Sequence, residues 1–115
     1  MFVQMKTEAI TQDLTEEDRL DVTLVKRDKA LYKFALNYRA WMDERWNEVY
    51  RVDNYHGFLH EQKYWRSPEP IPINDKENWS LRMVIKYYVD EIMLNFRKYR
   101  KYYEETLEKN RTEQK

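Results

Sequence analysis

Both histidines of the chain and its one glycine fall within the ten residues Arg51-Val-Asp-Asn-Tyr-His-Gly-Phe-Leu-His60. Imidazoles carry protons near neutral pH, so His56 and His60 can divide the acid and base roles that cleave an RNA phosphodiester. Arg51 can stabilise the charge that develops on the phosphoryl oxygens, and Asp53 can orient an imidazole. His56, His60, Arg51 and Asp53 are therefore the candidate catalytic set. Turn chemistry accounts for the same residues. Asp53, Asn54 and Gly57 suit a turn, which leaves the histidines as loop and strand residues. Asp53, His56 and His60 also match a metal site of one carboxylate and two imidazoles. His-x-x-x-His serves that purpose on a helix, whereas Gly57 and the alternating flanks indicate a hairpin. No metal and no cofactor are expected.

The elements that must position these groups are strands. Leu20, Val22 and Leu24 alternate with polar residues, and so do Tyr32, Phe34, Leu36, Tyr38, Ala40 and Met42. That period of two marks half-buried strands. Trp46 to Asp53 and Phe58 to Trp65 supply two more. Loops at 27–29, 43–45 and 54–57 place Leu36 opposite Val52, Tyr38 opposite Tyr50, Met42 opposite Trp46 and Val52 opposite Leu59. One face is then mostly apolar. The other carries Lys33, Asn37, Arg39, Trp41, Asn47, Arg51, Asp53, Phe58, His60, Gln62 and Tyr64, with Arg51 directly opposite His60. Lys33, Asn37, Arg39, Trp41, Gln62 and Tyr64 are the candidate substrate-binding residues around the catalytic set.

The flanks complete the architecture. Thr15-Glu-Glu-Asp18 reads as a capping box, so a short helix is expected within 8–19. Ser67-Pro-Glu-Pro-Ile-Pro72 cannot join a ladder and predicts an extended connector over 67–74. Asn74-Asp-Lys-Glu77 is a second capping box. Beyond it neither glycine nor proline occurs, and Ile85, Tyr88, Ile92, Phe96, Tyr99, Tyr103 and Leu107 recur at steps of three or four. A long amphipathic helix over 75–110 follows, with 111–115 frayed. The expected fold is α+β. It is one domain: a polar segment 1–19, a four-stranded antiparallel meander over 20–66, and one long C-terminal helix on a single face.

Composition narrows the function classes. The 115 residues carry 21 basic and 21 acidic side chains and no cysteine. Thiolate chemistry and disulfides are excluded, and the overall field favours neither nucleic acid nor an anionic membrane. No apolar run reaches the roughly 20 residues a membrane helix needs. A cytoplasmic location is expected, and the dense opposite charges would suit a heat-adapted organism. Arg97-Lys-Tyr-Arg-Lys-Tyr-Tyr103 could grip phosphates and stack bases, but its tyrosines overlap the core stripe and Glu104, Glu105 and Glu108 blunt it. Trp41, Trp46, Trp65 and Trp79 read as core or interface anchors. Tyr102, Tyr103 and Leu107 would overhang the sheet, so a homodimer through the sheet face or the helix end is expected.

The stretch Val49-Tyr-Arg-Val-Asp-Asn-Tyr-His-Gly-Phe-Leu-His60 resembles small proteins of the TumE toxin type and related families. The resemblance rests on Arg51, Asp53, Asn54, His56, Gly57 and His60. It implies an RNA-directed toxin held by a protein antitoxin. After His60 the pattern departs, with Glu61-Gln-Lys where a further histidine would stand. Two readings remain open: an RNA-directed ribonuclease-like or RNA-binding protein, and a noncatalytic homo-oligomeric interaction module.

Overall fold

The computed structural model describes residues 2–113. Six strands follow one another in one antiparallel sheet: β1 (Met5–Thr15), β2 (Asp18–Arg27), β3 (Ala30–Met42), β4 (Arg45–Asp53), β5 (His60–Lys63) and β6 (Ile71–Pro72). Helix α1 (Leu81–Glu113) packs over β3 and β4 on one face. The α+β class and the long C-terminal helix agree with the sequence. The four-stranded meander gains a strand at each edge.

At the N-terminal edge, β1 replaces the expected helix. Thr7, Ile10, Thr11 and Thr15 are β-branched and favour a pleated surface. The Thr15-Glu-Glu-Asp18 box closes a hairpin instead. The Thr15 hydroxyl bonds the Asp18 carboxylate and accepts the Glu17 N–H at 3.0 Å. Side-chain-to-backbone bonding of this kind serves a turn as well as a helix cap. At the other edge, Ile71 and Pro72 pair with Glu61 and His60. Proline is tolerated there because an edge position asks for no donor on its outer side.

Two tight turns set the register. Asp28 and Lys29 have φ of 48° and 72°, and Asp43 and Glu44 have φ of 54° and 60°. Left-handed backbone at both central residues matches the right-handed twist of the flanking strands. The 43–45 loop is thus the two-residue turn Asp43-Glu44, and Met42 faces Arg45 rather than Trp46. A β-bulge at Val49 then restores Tyr38 opposite Tyr50 and Leu36 opposite Val52. Between turn and bulge the faces are exchanged. Trp46 joins Trp41 on the helix-free face, and Asn47 turns inward, where it donates to the Met42 carbonyl at 2.9 Å. The loop after β4 has six residues, 54–59, so Asp53 lies opposite His60, and Val52 meets Glu61 rather than Leu59. A slip of two residues keeps each side chain on its face.

The core joins Leu20, Phe34, Leu36, Tyr38, Val49, Tyr50 and Val52 to Val84, Tyr88, Ile92 and Phe96 of α1. The helix begins at Leu81, after Ser80, whose hydroxyl accepts the Met83 N–H at 3.2 Å. That is an N-cap, so the box at 74–77 forms a turn ahead of the helix. Helical residues continue through Glu113, past the expected end at 110. Tyr103 and Leu107 pack against the core rather than overhanging it, and the Tyr103 hydroxyl reaches Asn47 Oδ1 at 3.4 Å.

Arg100 fastens α1 to the sheet. Its guanidinium donates to Asp18 Oδ1 at 3.0 Å, Glu17 Oε2 at 2.9 Å and the Trp41 carbonyl at 2.8 Å. Asp18 also accepts the buried Tyr38 hydroxyl. No helix among the described residues is long and apolar enough to cross a membrane.

Candidate functional site

The helix-free face is built from cross-strand rows. One row runs Ala9, Thr23, Ala35, Asp53, His60 and Pro72. The next runs Thr11, Asp21, Asn37, Arg51 and Gln62. Three of the four candidate catalytic residues, Arg51, Asp53 and His60, fall in these rows and His56 lies in the adjoining loop, but Arg51 stands opposite Gln62 and not His60.

Asp53 is the hub. Its Oδ2 accepts Arg51 Nε at 2.6 Å, and its Oδ1 accepts the Tyr55 N–H at 2.9 Å and lies 3.2 Å from His60 Nε2. The other His60 nitrogen, Nδ1, lies 3.3 Å from the Phe58 carbonyl. The imidazole is 1% exposed and the carboxylate 2%. The Phe58 and His56 rings cover His60, with centroids 5.1 and 5.4 Å away. His56 itself is exposed. The two imidazoles stack at 27°, and inserting another layer between stacked rings needs a separation of about 7 Å. No phosphate fits between them. Both His60 nitrogens already face oxygens, and of the two imidazoles it is that of His56 that is exposed.

The loop chemistry explains this geometry. Asp53 bonding the N–H two residues on is an Asx turn. Asn54 bonds β3 through its side chain, accepting the Phe34 N–H at 2.9 Å. Gly57 has φ of 85°, a conformation glycine adopts without a Cβ clash. Among the described residues no group of three or more His, Asp or Glu side chains is arranged to hold a metal ion.

The candidate binding residues divide. Lys33 lies 3.4 Å from the Tyr55 carbonyl and over the Tyr55 ring. Arg39 is paired with Asp21 at 2.6 Å. Trp41 meets Trp46 edge to face, and Gln62 ties down the Pro68 carbonyl at 2.8 Å. Tyr64 is half-buried, and burial with Glu48 nearby raises its phenol above the ordinary range. Of these Asn37 alone lines a cleft of about 350 Å³ on this face, where Arg51 of the catalytic set joins it. Its lining includes Ala9, Thr23 and Ala35, with Thr11, Asp21 and Tyr55 beside them.

Asn37 is unusual there. It is 9% exposed, and its Nδ2 donates to Glu48 Oε1 at 3.0 Å. A carboxylate only accepts, so the amide cannot be turned round. Its Oδ1 is therefore left as a buried acceptor without a partner. Arg51, directly opposite, commits its Nε to Asp53, and no other bond of this guanidinium occurs among the described residues. Thr11, Asp21 and Tyr55 escaped the sequence reading. Thr11 falls within the expected helix, Asp21 is one polar position of the strand that begins at Leu20, and Tyr55 enters through the Asx turn.

Residues 5–109 match the family described as a domain of unknown function, DUF7718. Comparison with curated proteins and with solved structures finds no match.

Proposed function

The chain belongs to the DUF7718 family, and we propose that it binds single-stranded RNA on the helix-free face of its sheet. The observation that carries this reading is the unmatched Asn37 Oδ1 beside Arg51 in a cleft with small residues in its lining. A buried acceptor without a donor costs about 1–3 kcal/mol, so a ligand N–H is favoured there. A nucleotide supplies that donor from its base and an anion from its phosphate. Arg51 meets the phosphate through its terminal nitrogens, and Tyr55 offers a ring on which a base stacks. His56, Lys33 and the exposed Phe58 extend the surface. The resemblance to TumE-type toxins points to the same ligand class.

Cleavage by a pair of imidazoles is set aside. His60 acts as a positioning residue that, with Asp53, holds Arg51 in place. Binding without catalysis is the reading the geometry supports best.

Fluorescence anisotropy with a short labelled single-stranded RNA tests it. Wild-type protein binds, and Arg51→Gln weakens binding by about tenfold with an unchanged circular dichroism spectrum. Equal affinities, or no binding by wild type, overturn the proposal. Incubation in EDTA leaves the RNA intact. Cleavage that His56→Ala abolishes would restore the enzyme reading.

A second reading treats the protein as an assembly module. Leu94 is 79% exposed and Met83 55% exposed on α1, with half-exposed Met93 and Tyr87 nearby. A homodimer through this stripe predicts sedimentation as a dimer at micromolar concentration and as a monomer after Leu94→Glu.

A further inference from the structure

We propose that the groove between α1 and β5 is a binding site for a small organic cation of the alkylammonium class. It lies on the face opposite the RNA-binding cleft and is independent of it. Because α1 packs over β3 and β4, the inner side of β5 stays open. The result is a groove of about 720 Å³ whose walls include Tyr50, Trp65, Tyr99 and Tyr102.

The walls are aromatic, and they carry three carboxylates beside three basic side chains. Trp65 stacks on Tyr99 with centroids 5.2 Å apart at 19°, and Tyr102 stands 5.6 Å from Trp65. Ring faces carry the negative lobe of the aromatic quadrupole and attract cations. Glu61 enters from β5 and accepts the Tyr50 hydroxyl at 2.6 Å. Glu91 and Glu105 enter from α1. Lys63 answers Glu61 at 3.5 Å, while neither Glu91 nor Glu105 makes an ion pair among the described residues. Arg66 and Lys109 complete the rim. Burial, with Glu91 and Glu61 adding to it, pushes the Tyr99 phenol up to about 12.

The chain already uses this chemistry beside the groove. The Lys76 ammonium lies 4.6 Å over Tyr87, 5.4 Å over Tyr88 and 5.5 Å over Trp79. Tyr87 and Tyr88 belong to the groove lining as well. No Lys or Arg among the described residues sits over Tyr50, Trp65, Tyr99 or Tyr102 in the same way. One aromatic cluster, Trp79, Tyr87 and Tyr88, holds its own ammonium, and the other, around Trp65, Tyr99 and the exposed Tyr102, has none and lies beside Glu91 and Glu105.

Nuclear magnetic resonance of the full chain tests the proposal. Tetramethylammonium is the probe, and neopentyl alcohol is the uncharged control of similar shape. The Trp65 indole resonance shifts and saturates with the cation and not with the alcohol. Tyr102→Ala and Glu91→Gln each weaken binding by about fivefold. Tyr102 is exposed and Glu91 lies on the helix surface, so both variants keep the fold. Absence of a saturable shift at Trp65, equal affinity for the alcohol, or shifts confined to Trp41, Trp46 or Trp79 would overturn it.

Discussion

Asp53 and His60 stand directly opposite each other across β4 and β5, with Oδ1 3.2 Å from Nε2 and both side chains almost wholly buried. This contact makes the histidine part of the scaffold. Replacing it by phenylalanine keeps a ring under Phe58 and His56 but removes one polar contact of the buried carboxylate. His60→Phe is expected to lose about 1–3 kcal/mol of stability in urea denaturation. His56→Ala, at an exposed ring, stays within about 0.5 kcal/mol of wild type. Equal losses from both would mean that the two rings share one role.

Arg100 is the second anchor. Its contacts join α1 to the β1–β2 turn and to β3, and Asp18 is left with a buried charge when they go. Arg100→Ala is expected to cost about 2–4 kcal/mol, less than the loss for a fully buried pair because the guanidinium is partly exposed. Denaturant midpoints check this. A loss no larger than that of Lys86→Ala, which removes an exposed pair, would contradict it.

Alkaline pH should unfold the protein. Burial and the hydrogen bond to Asp18 raise the Tyr38 phenol, and burial and the bond to Glu61 raise Tyr50. Tyr99 is pushed up to about 12 by burial, then by Glu91 and Glu61. The folded chain thus holds these protons more tightly than the unfolded one, where tyrosine titrates near about 10. Stability is complete below that value and is lost as pH rises through the folded-state range, from about 10 to about 12 for Tyr99. Urea midpoints fall across this window in wild type and fall less in Tyr50→Phe. A midpoint unchanged up to about pH 11 would refute the assignment.

The tight turns carry removable strain. Lys29 and Glu44 hold left-handed backbone at φ of 72° and 60° without being glycine. Lys29→Gly and Glu44→Gly are expected to stabilise by about 0.5–1 kcal/mol each. At Gly57, a Cβ would meet nothing within 4 Å, so Gly57→Ala costs only its backbone strain, about 1 kcal/mol. Thermal melts of the three variants decide the signs.

Period-two alternation from Tyr32 to Met42 made β3 legible, and the three-four spacing from Ile85 to Leu107 did the same for α1. The pairing of Leu36 with Val52 was legible because a one-residue slip exposes apolar side chains. Val49 gives no local sign that it is bulged, so the exchange of Trp46 and Asn47 could not be read in advance. β1 was misread because Thr15 and Asp18 make hairpin and helix caps with the same atoms. The site was legible as a neighbourhood: Arg51, Asp53 and His60 do share a face. The burial of Asp53 and His60 was not, because it depends on Phe58 and His56 folding back over the sheet from a longer loop. Asn37 appeared as one polar residue among several. Only the position of Glu48, fixed by the bulge, reveals its unmatched oxygen.

Amide chemical-shift mapping with a short single-stranded RNA tests the central claim most directly. Resonances of Thr23, Ala35, Asn37, Arg51 and Tyr55 should move together and saturate, while those of Met83 and Leu94 on the far side of α1 stay in place. Shifts that bypass Asn37 and Arg51, or that cluster on the helix, would contradict RNA binding by the open sheet face.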